Sequence, residues 1–194
     1  MTIHVEGTEP YAWPYDGRLG GEHLAIVLAG WDTGWAYRSV RSADADRLAL
    51  VLAAAVAQIG GLVVALAHGT GTPLPTGVDA TRVNVPGIDG FYASPLDDLL
   101  RTNHRTHLLV VGHGIEAAVH STLRSANDRG YECLLVVDAC TTLTDDLGEP
   151  SAKTVTMSGG IFGAIGTAGA VLAALPDPVA HLEPSTPQPQ ETRS

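Results

Sequence analysis

Two periods of apolar and polar residues alternate along this chain. Short runs with hardly a polar residue, HLAIVLAG (23–30), LVVALAH (62–68), HLLVVGH (107–113) and CLLVVDA (133–139), are each bounded by turn residues. Unbroken apolarity over so few positions predicts strands covered on both faces. Between them the period lengthens. Leu48, Val51, Leu52, Ala55, Val56 and Ile59 recur at helical spacing, with Ser42 as N-cap, Asp44 and Asp46 in the first turn and Gly60-Gly61 as the stop. Ser94-Pro95-Leu96-Asp97 has the form of a second helix start: a capping residue, Pro at the first helical position and an acid completing the box. A third helix is predicted over 115–129, stopped by Gly130. GIFGAIG (160–166) predicts a short fifth strand, and Thr167 caps a last helix, AGAVLAAL. The Gly-, Thr- and Pro-rich stretch 69–90 and the segment after Thr141 read as loops.

Strands that alternate with helices imply an α/β fold: a doubly wound, mostly parallel sheet of five or six strands with helices on both faces. Residues 1–22, rich in Gly, Pro and aromatics and without periodicity, are expected to form an arm over a body spanning 23–175. The Pro-, Ser- and Gln-rich tail 176–194 is expected to be disordered. In such sheets ligands sit beyond the carboxyl ends of the strands. The polar and aromatic residues there are Trp31 and Asp32 after the first strand, His68 after the second, His113 with Glu116 after the third, and Asp138 at the end of the fourth.

Composition narrows the function. A chain of 194 residues fits one domain with a real core. A net charge of −10, with 11 basic residues and no basic cluster in sequence, argues against a nucleic-acid surface. Cys133 and Cys140 lie in or beside a buried strand and read as reduced thiols. The N-terminus has no basic segment leading into an apolar run, and no apolar stretch approaches membrane-spanning length. The expectation is a soluble cytoplasmic protein without membrane contact.

The segment LLVVGHGIEAAVHSTLRSANDRGYECLLVVDAC (108–140), together with AWPYDG near the N-terminus and the late SGGIFGAIGTAGAVLAAL, resembles the isochorismatase-like cysteine hydrolases. The likeness covers roughly residues 11–175 and is nearest to the biuret- and ureidoacrylate-hydrolase branch. Such enzymes cleave amide or ureido C–N bonds with an Asp, a Lys and a Cys, the thiolate attacking the carbonyl. Carried across residue by residue, the resemblance puts Ala29 at the Asp position and Trp31 at a Gln position. Val85, aligned through Phe91 and Leu96, falls at the Lys position, and Ala118 at that of the Cys. No lysine precedes Lys153, so a shifted alignment does not restore one. Alanine has no nucleophile, and valine carries neither charge nor donor. The inherited thiol chemistry is therefore lost.

Other side chains remain for chemistry. His113 can titrate near neutral pH as base or acid, and Glu116 can orient it or merely complement a helix dipole. Asp32 is either a displaced acid or a turn cap in WDTGW. His68 resembles a pocket-wall residue of the superfamily. A metal held by His68, His113 and Asp32 is not expected, since the Asp-x-His spacing of nicotinamidase-type relatives is missing; no cofactor is expected either. Asp138 reads as a backbone acceptor and Cys140 as family background rather than a substitute nucleophile. Trp31 and Trp35 either floor a ring-binding site or cover the sheet end.

Three functions stay open: a non-hydrolytic homologue that binds a small molecule or a partner subunit, as a homo-oligomer or beside an active paralogue; a repurposed biosynthetic enzyme using His113, Asp32 and Glu116; or a residual amide hydrolase. A pocket closed by apolar residues around Ala29, Val85 and Ala118 favours the first. An open cavity where His113 meets an acid favours the second.

Overall fold

The computed structural model describes residues 3–31, 43–68 and 77–176. Ser42, Asp32, Trp35 and nearly all of the tail lie outside them. Six strands form one sheet in which every pairing is parallel: β1 (Leu24–Ala29), β2 (Leu62–Ala67), β3 (Thr81–Asn84), β4 (His107–His113), β5 (Glu132–Thr141) and β6 (Ala164–Gly166). Their order is β3-β2-β1-β4-β5-β6. The helices are α1 (Ala43–Gln58), α2 (Leu96–Thr102), α3 (His120–Asp128), α4 (Gly148–Gly160) and α5 (Ala168–Ala174).

Side chains alternate across a strand, so each strand feeds two cores. Leu24, Ile26 and Leu28 of β1 pack with Ala49, Leu52, Ala53 and Val56 of α1 and with Val171 of α5. Ala25, Val27 and Ala29 face the opposite layer, with Leu96 and Leu100 of α2, Leu123 and Ala126 of α3 and Val155 of α4. Both faces being covered explains why the strands carry no polar alternation. The N-terminal segment is knitted into the first layer rather than lying loosely on it: Val5, Trp13 and Leu19 are buried there, Val5 pairs with Trp13, and Glu9 bridges to Ile165 of β6.

Several elements depart from the sequence expectation. The stretch expected as a loop over 69–90 contains β3. Four residues with only Val83 buried, at the sheet edge, are too few to show a period. The expected loop after Thr141 contains α4, whose helical geometry breaks at Met157, Ser158 and Gly159; its Gly, Pro, Ser and Thr content conceals it, and only Val155 is buried. α2 begins one residue later than expected, with Pro95 in the cap position, because the Ser94 hydroxyl donates to the Gly90 carbonyl while only loosely accepting from the Leu96 amide at 3.3 Å. The third helix starts as a π-turn, Ile115–Val119, entered from Gly114 at φ 74°, before α3 proper. Thr167 does cap α5, its hydroxyl accepting from the Ala170 amide at 3.3 Å.

Candidate functional site

Strand order reverses direction between β1 and β4, which makes their carboxyl ends the switch point where open α/β sheets bind ligands. Ala29 lies opposite Gly112 in the register. The chain turns there on two glycines at positive φ, Gly30 at 63° and Gly112 at 131°. A Cβ at Gly30 would overlap the His113 carbonyl and stand 3.3 Å from the Ala118 methyl; one at Gly112 would overlap the Ala29 carbonyl. Backbones thus approach as closely as they can, and only glycine fits.

The apolar residues singled out in the sequence come together on one side of this point. Ala29 is fully buried, and Val85, Phe91 and Ala118 are 3%, 5% and 1% exposed. Ala29, Val85, Phe91, Ile115 and Val119 share the core layer of α2 and α3. The wall that carries Val85 and Phe91 is pinned by Val85 N–H to the Ala67 carbonyl at 2.9 Å and by Gly90 N–H to the buried Thr122 hydroxyl at 3.0 Å. His68, half-buried at the end of β2, reaches the Gly87 carbonyl of the same wall with Nε2 at 2.7 Å.

His113 points the other way. Val111 belongs to the α1 layer, and His113, two residues on, faces that layer too. Its ring is 1% exposed, with Nδ1 2.9 Å from the Thr141 hydroxyl and Nε2 3.6 Å from Asp46 Oδ1 in the first turn of α1. The Trp31 ring packs on it at 4.8 Å between centroids. Asp46 sits in the first turn of α1, so its side chain stands at the amino end of that helix. The sequence showed Asp46 only as a first-turn acid. What brings it to His113 is the return of α1 across the sheet, and helical period alone does not reveal that.

Glu116 has a different set of partners. Its Oε1 accepts from the Leu143 and Thr144 amides at 2.7 and 3.3 Å, clipping the segment after β5 to the π-turn. Asp138 accepts from the Ala168 amide at 2.8 Å and so fixes the start of α5. It can do so because β5 bulges: Leu135 pairs with Val110, but Cys140 is next in register, opposite Gly112. The extra residues let β5 swing to β6 and turn Asp138 outward. Burial pushes the Cys140 thiol up to about 12, against the pull of the Gly112 amide and with the push of Asp138. Cys133, fully buried, is raised by burial and by Glu132. Neither thiol is activated.

Among the described residues, one group has ligand-type atoms close enough for a metal: Asp16, His107 and Glu132, all within 4.8 Å at the amino end of the sheet. Its oxygens have protein partners. Asp16 accepts from the Arg18 amide at 2.9 Å and guanidinium Nε at 2.6 Å, Glu132 accepts from the Tyr15 amide, and His107 bridges the two carboxylates at 3.1 and 3.4 Å. The trio fastens the N-terminal segment to β4 and β5.

The fold has close counterparts among solved structures. It resembles a cysteine hydrolase from Pseudomonas syringae pv. phaseolicola 1448A, with TM-score 0.70 and 16% identity over 80% of this chain and 93% of that one. It also resembles YcaC from Pseudomonas aeruginosa (TM-score 0.71, 16% identity, 86% and 85% covered) and the MAR1 ribonuclease from Caenorhabditis elegans (0.69, 17%, 81% and 83%). No helix among the described residues is long and apolar enough to cross a membrane. Residues 70–165 match the family model described as the Isochorismatase domain, so the six-stranded parallel sheet carries an isochorismatase-type domain over that span.

Proposed function

We propose that this chain is a non-hydrolytic isochorismatase-like protein, which binds a small molecule or a partner subunit in place of cleaving a C–N bond. One observation carries the reading: Ala29, Val85 and Ala118, aligned with the family's Asp, Lys and Cys, are buried apolar residues beside the switch point. Thiol amidases need a thiolate, a carboxylate to activate it and a cation near the carbonyl. The single lysine of the sequence, Lys153, pairs with Glu149 at 2.6 Å on the exposed face of α4. The Cys140 thiol, raised to about 12, is no replacement nucleophile. The test is ammonia release from a panel of amides and ureides, run beside a thermal-shift ligand screen and light scattering for assembly as a homo-oligomer. Turnover above the uncatalysed rate by the wild-type protein, retained in Cys140→Ala, would overturn the proposal.

A second reading has its own observation in the approach of His113 Nε2 to Asp46 Oδ1 at 3.6 Å under the Trp31 ring. An imidazole held by Thr141 on one nitrogen and facing a carboxylate on the other is suited to move a proton. Here Asp46, and not Glu116, faces the imidazole, while Asp32 lies outside the described residues. In this reading His113→Gln and Asp46→Asn each abolish the activity of any substrate found in the ligand screen. If both variants turn it over like wild type, the acid–base role is gone.

A further inference from the structure

The opposite end of the sheet holds a cavity that this functional reading does not use. It has a volume of about 390 Å³ and is lined by Arg18, His23, Arg101, Arg105, Arg129 and Tyr131, with His104 and the turn backbone completing it. That size lies in the range of small-molecule sites. Four of the chain's 11 basic residues meet here, in a molecule whose net charge is −10. In sequence they are scattered over more than a hundred positions. The segment before β1, the last turn of α2 with the turn that follows it, and the turn after α3 deliver them to one place.

Two of the four are partly engaged. Arg101 donates to Asp97 at 3.0 Å and to the Arg129 carbonyl at 3.1 Å, and Arg129 donates to the Ser125 carbonyl at 2.8 Å. These bonds also serve the carboxyl ends of α2 and α3, where cations are favoured. Arg18 and Arg105 sit outside any helix, so that explanation does not cover them. Arg18 uses Nε on Asp16. Arg105 uses one terminal nitrogen on the Gly21 carbonyl, and its buried Nε has no hydrogen-bond partner among the described residues. Arg105 lines the cavity, and its guanidinium carries more terminal N–H donors than the Gly21 carbonyl takes up.

The nearby acids limit what that something is. Asp16 and Asp97 pair with arginines at the rim, and Glu22 lies near Arg105. An extended polyanion would meet these acids and the negative remainder of the surface, whereas a compact one reaches only the forks. We propose that this cavity binds a small multivalent oxyanion, a phosphate-bearing or polycarboxylate molecule, with Arg18 and Arg105 as principal ligands and Arg101 and Arg129 as flanking charges. Guanidinium forks match both carboxylate and phosphate in bidentate geometry.

The experiment is calorimetric titration of the full chain with sodium pyrophosphate and with citrate at matched ionic strength, the two arms separating the phosphate from the carboxylate source. Saturable one-to-one binding is expected for at least one. Arg18→Gln and Arg101→Gln, both at exposed side chains, should each weaken it about tenfold. Lys153→Gln, remote from the cavity, should leave it unchanged. No saturable heat from either anion below about 10 mM would overturn the proposal. So would equal titration of wild type and Arg18→Gln, or an equal loss in Lys153→Gln, because the binding would then be general charge screening.

Discussion

On the proposed reading, replacing Ala118 with cysteine puts a sulfur where a hydrolase of this type would carry its nucleophile, and the structure says how that sulfur should behave. An unperturbed thiol is about 3% thiolate at pH 7. Cys140, in register with Gly112 at the same switch point, has its thiol pushed up to about 12 by burial. That value is far above neutrality, so the Cys140 thiol stays protonated at pH 7. Position 118 is 1% exposed and borders Gly30 and the buried layer of Ala29. Ala29 offers no carboxylate to take the proton and Val85 no cation to hold the anion. With neither group present, burial pushes the new thiol the same way. Alkylation of Ala118→Cys by iodoacetamide at pH 7, followed by intact-mass spectrometry, should run at least about a hundredfold slower than in the urea-unfolded chain. The rate should climb about tenfold per pH unit through pH 9 without levelling. Ammonia release from ureides should stay at background. A plateau below pH 8, or alkylation as fast as in the unfolded chain, would mean that an unrecognised group activates the site, and the argument for lost chemistry would fail.

Three further outcomes test how the site is built. Thr122→Val strands the buried Gly90 amide, now 3.0 Å from the hydroxyl, and should cost about 1–3 kcal/mol in urea unfolding. Thr167→Ala removes the cap of α5 and should cost about 1 kcal/mol by the same assay. Burial raises both thiols, so the folded state holds their protons while the unfolded chain releases them near the ordinary thiol value. Stability is then complete below about pH 8.5 and falls as pH climbs toward 12, and Cys140→Ala should flatten that fall in alkaline melts. An unchanged alkaline slope in that variant would show that the thiol is better solvated than its position implies.

Much of the scaffold was legible because burial on two faces leaves a plain mark. The apolar runs at 24–29, 62–67 and 107–113 became β1, β2 and β4, and Thr167 and the Gly60-Gly61 stop did as their chemistry suggests. β3 and α4 were missed for the converse reason: each buries a single side chain, so neither imprints a period. At the site, the burial of Ala29, Val85 and Ala118 follows from their apolar character, which is legible because it concerns what residues are. The partners of His113 and Glu116 were not readable. They depend on where α1 and the segment after β5 return in space, over separations of 67 residues for Asp46 and 28 for Thr141.

Strand parity has a consequence for where chemistry can occur in this protein. Ala29 and Val85 face the layer of α2 and α3, while His113, Trp31 and Asp46 face the layer of α1. The two groups lie on opposite faces of the sheet and come near each other at the carboxyl ends of β1 and β4, where Gly30 passes the His113 carbonyl. Chemistry at His113 would therefore be separate from any at position 118, since the imidazole is turned toward Asp46 and Trp31. If the imidazole does chemistry, its substrate enters from the α1 side. Trp31→Ala should then alter binding while Phe91→Ala, on the other layer, should not. The reverse result would assign ligand binding to the old hydrolase face and leave His113 as a buried strut between β5 and α1.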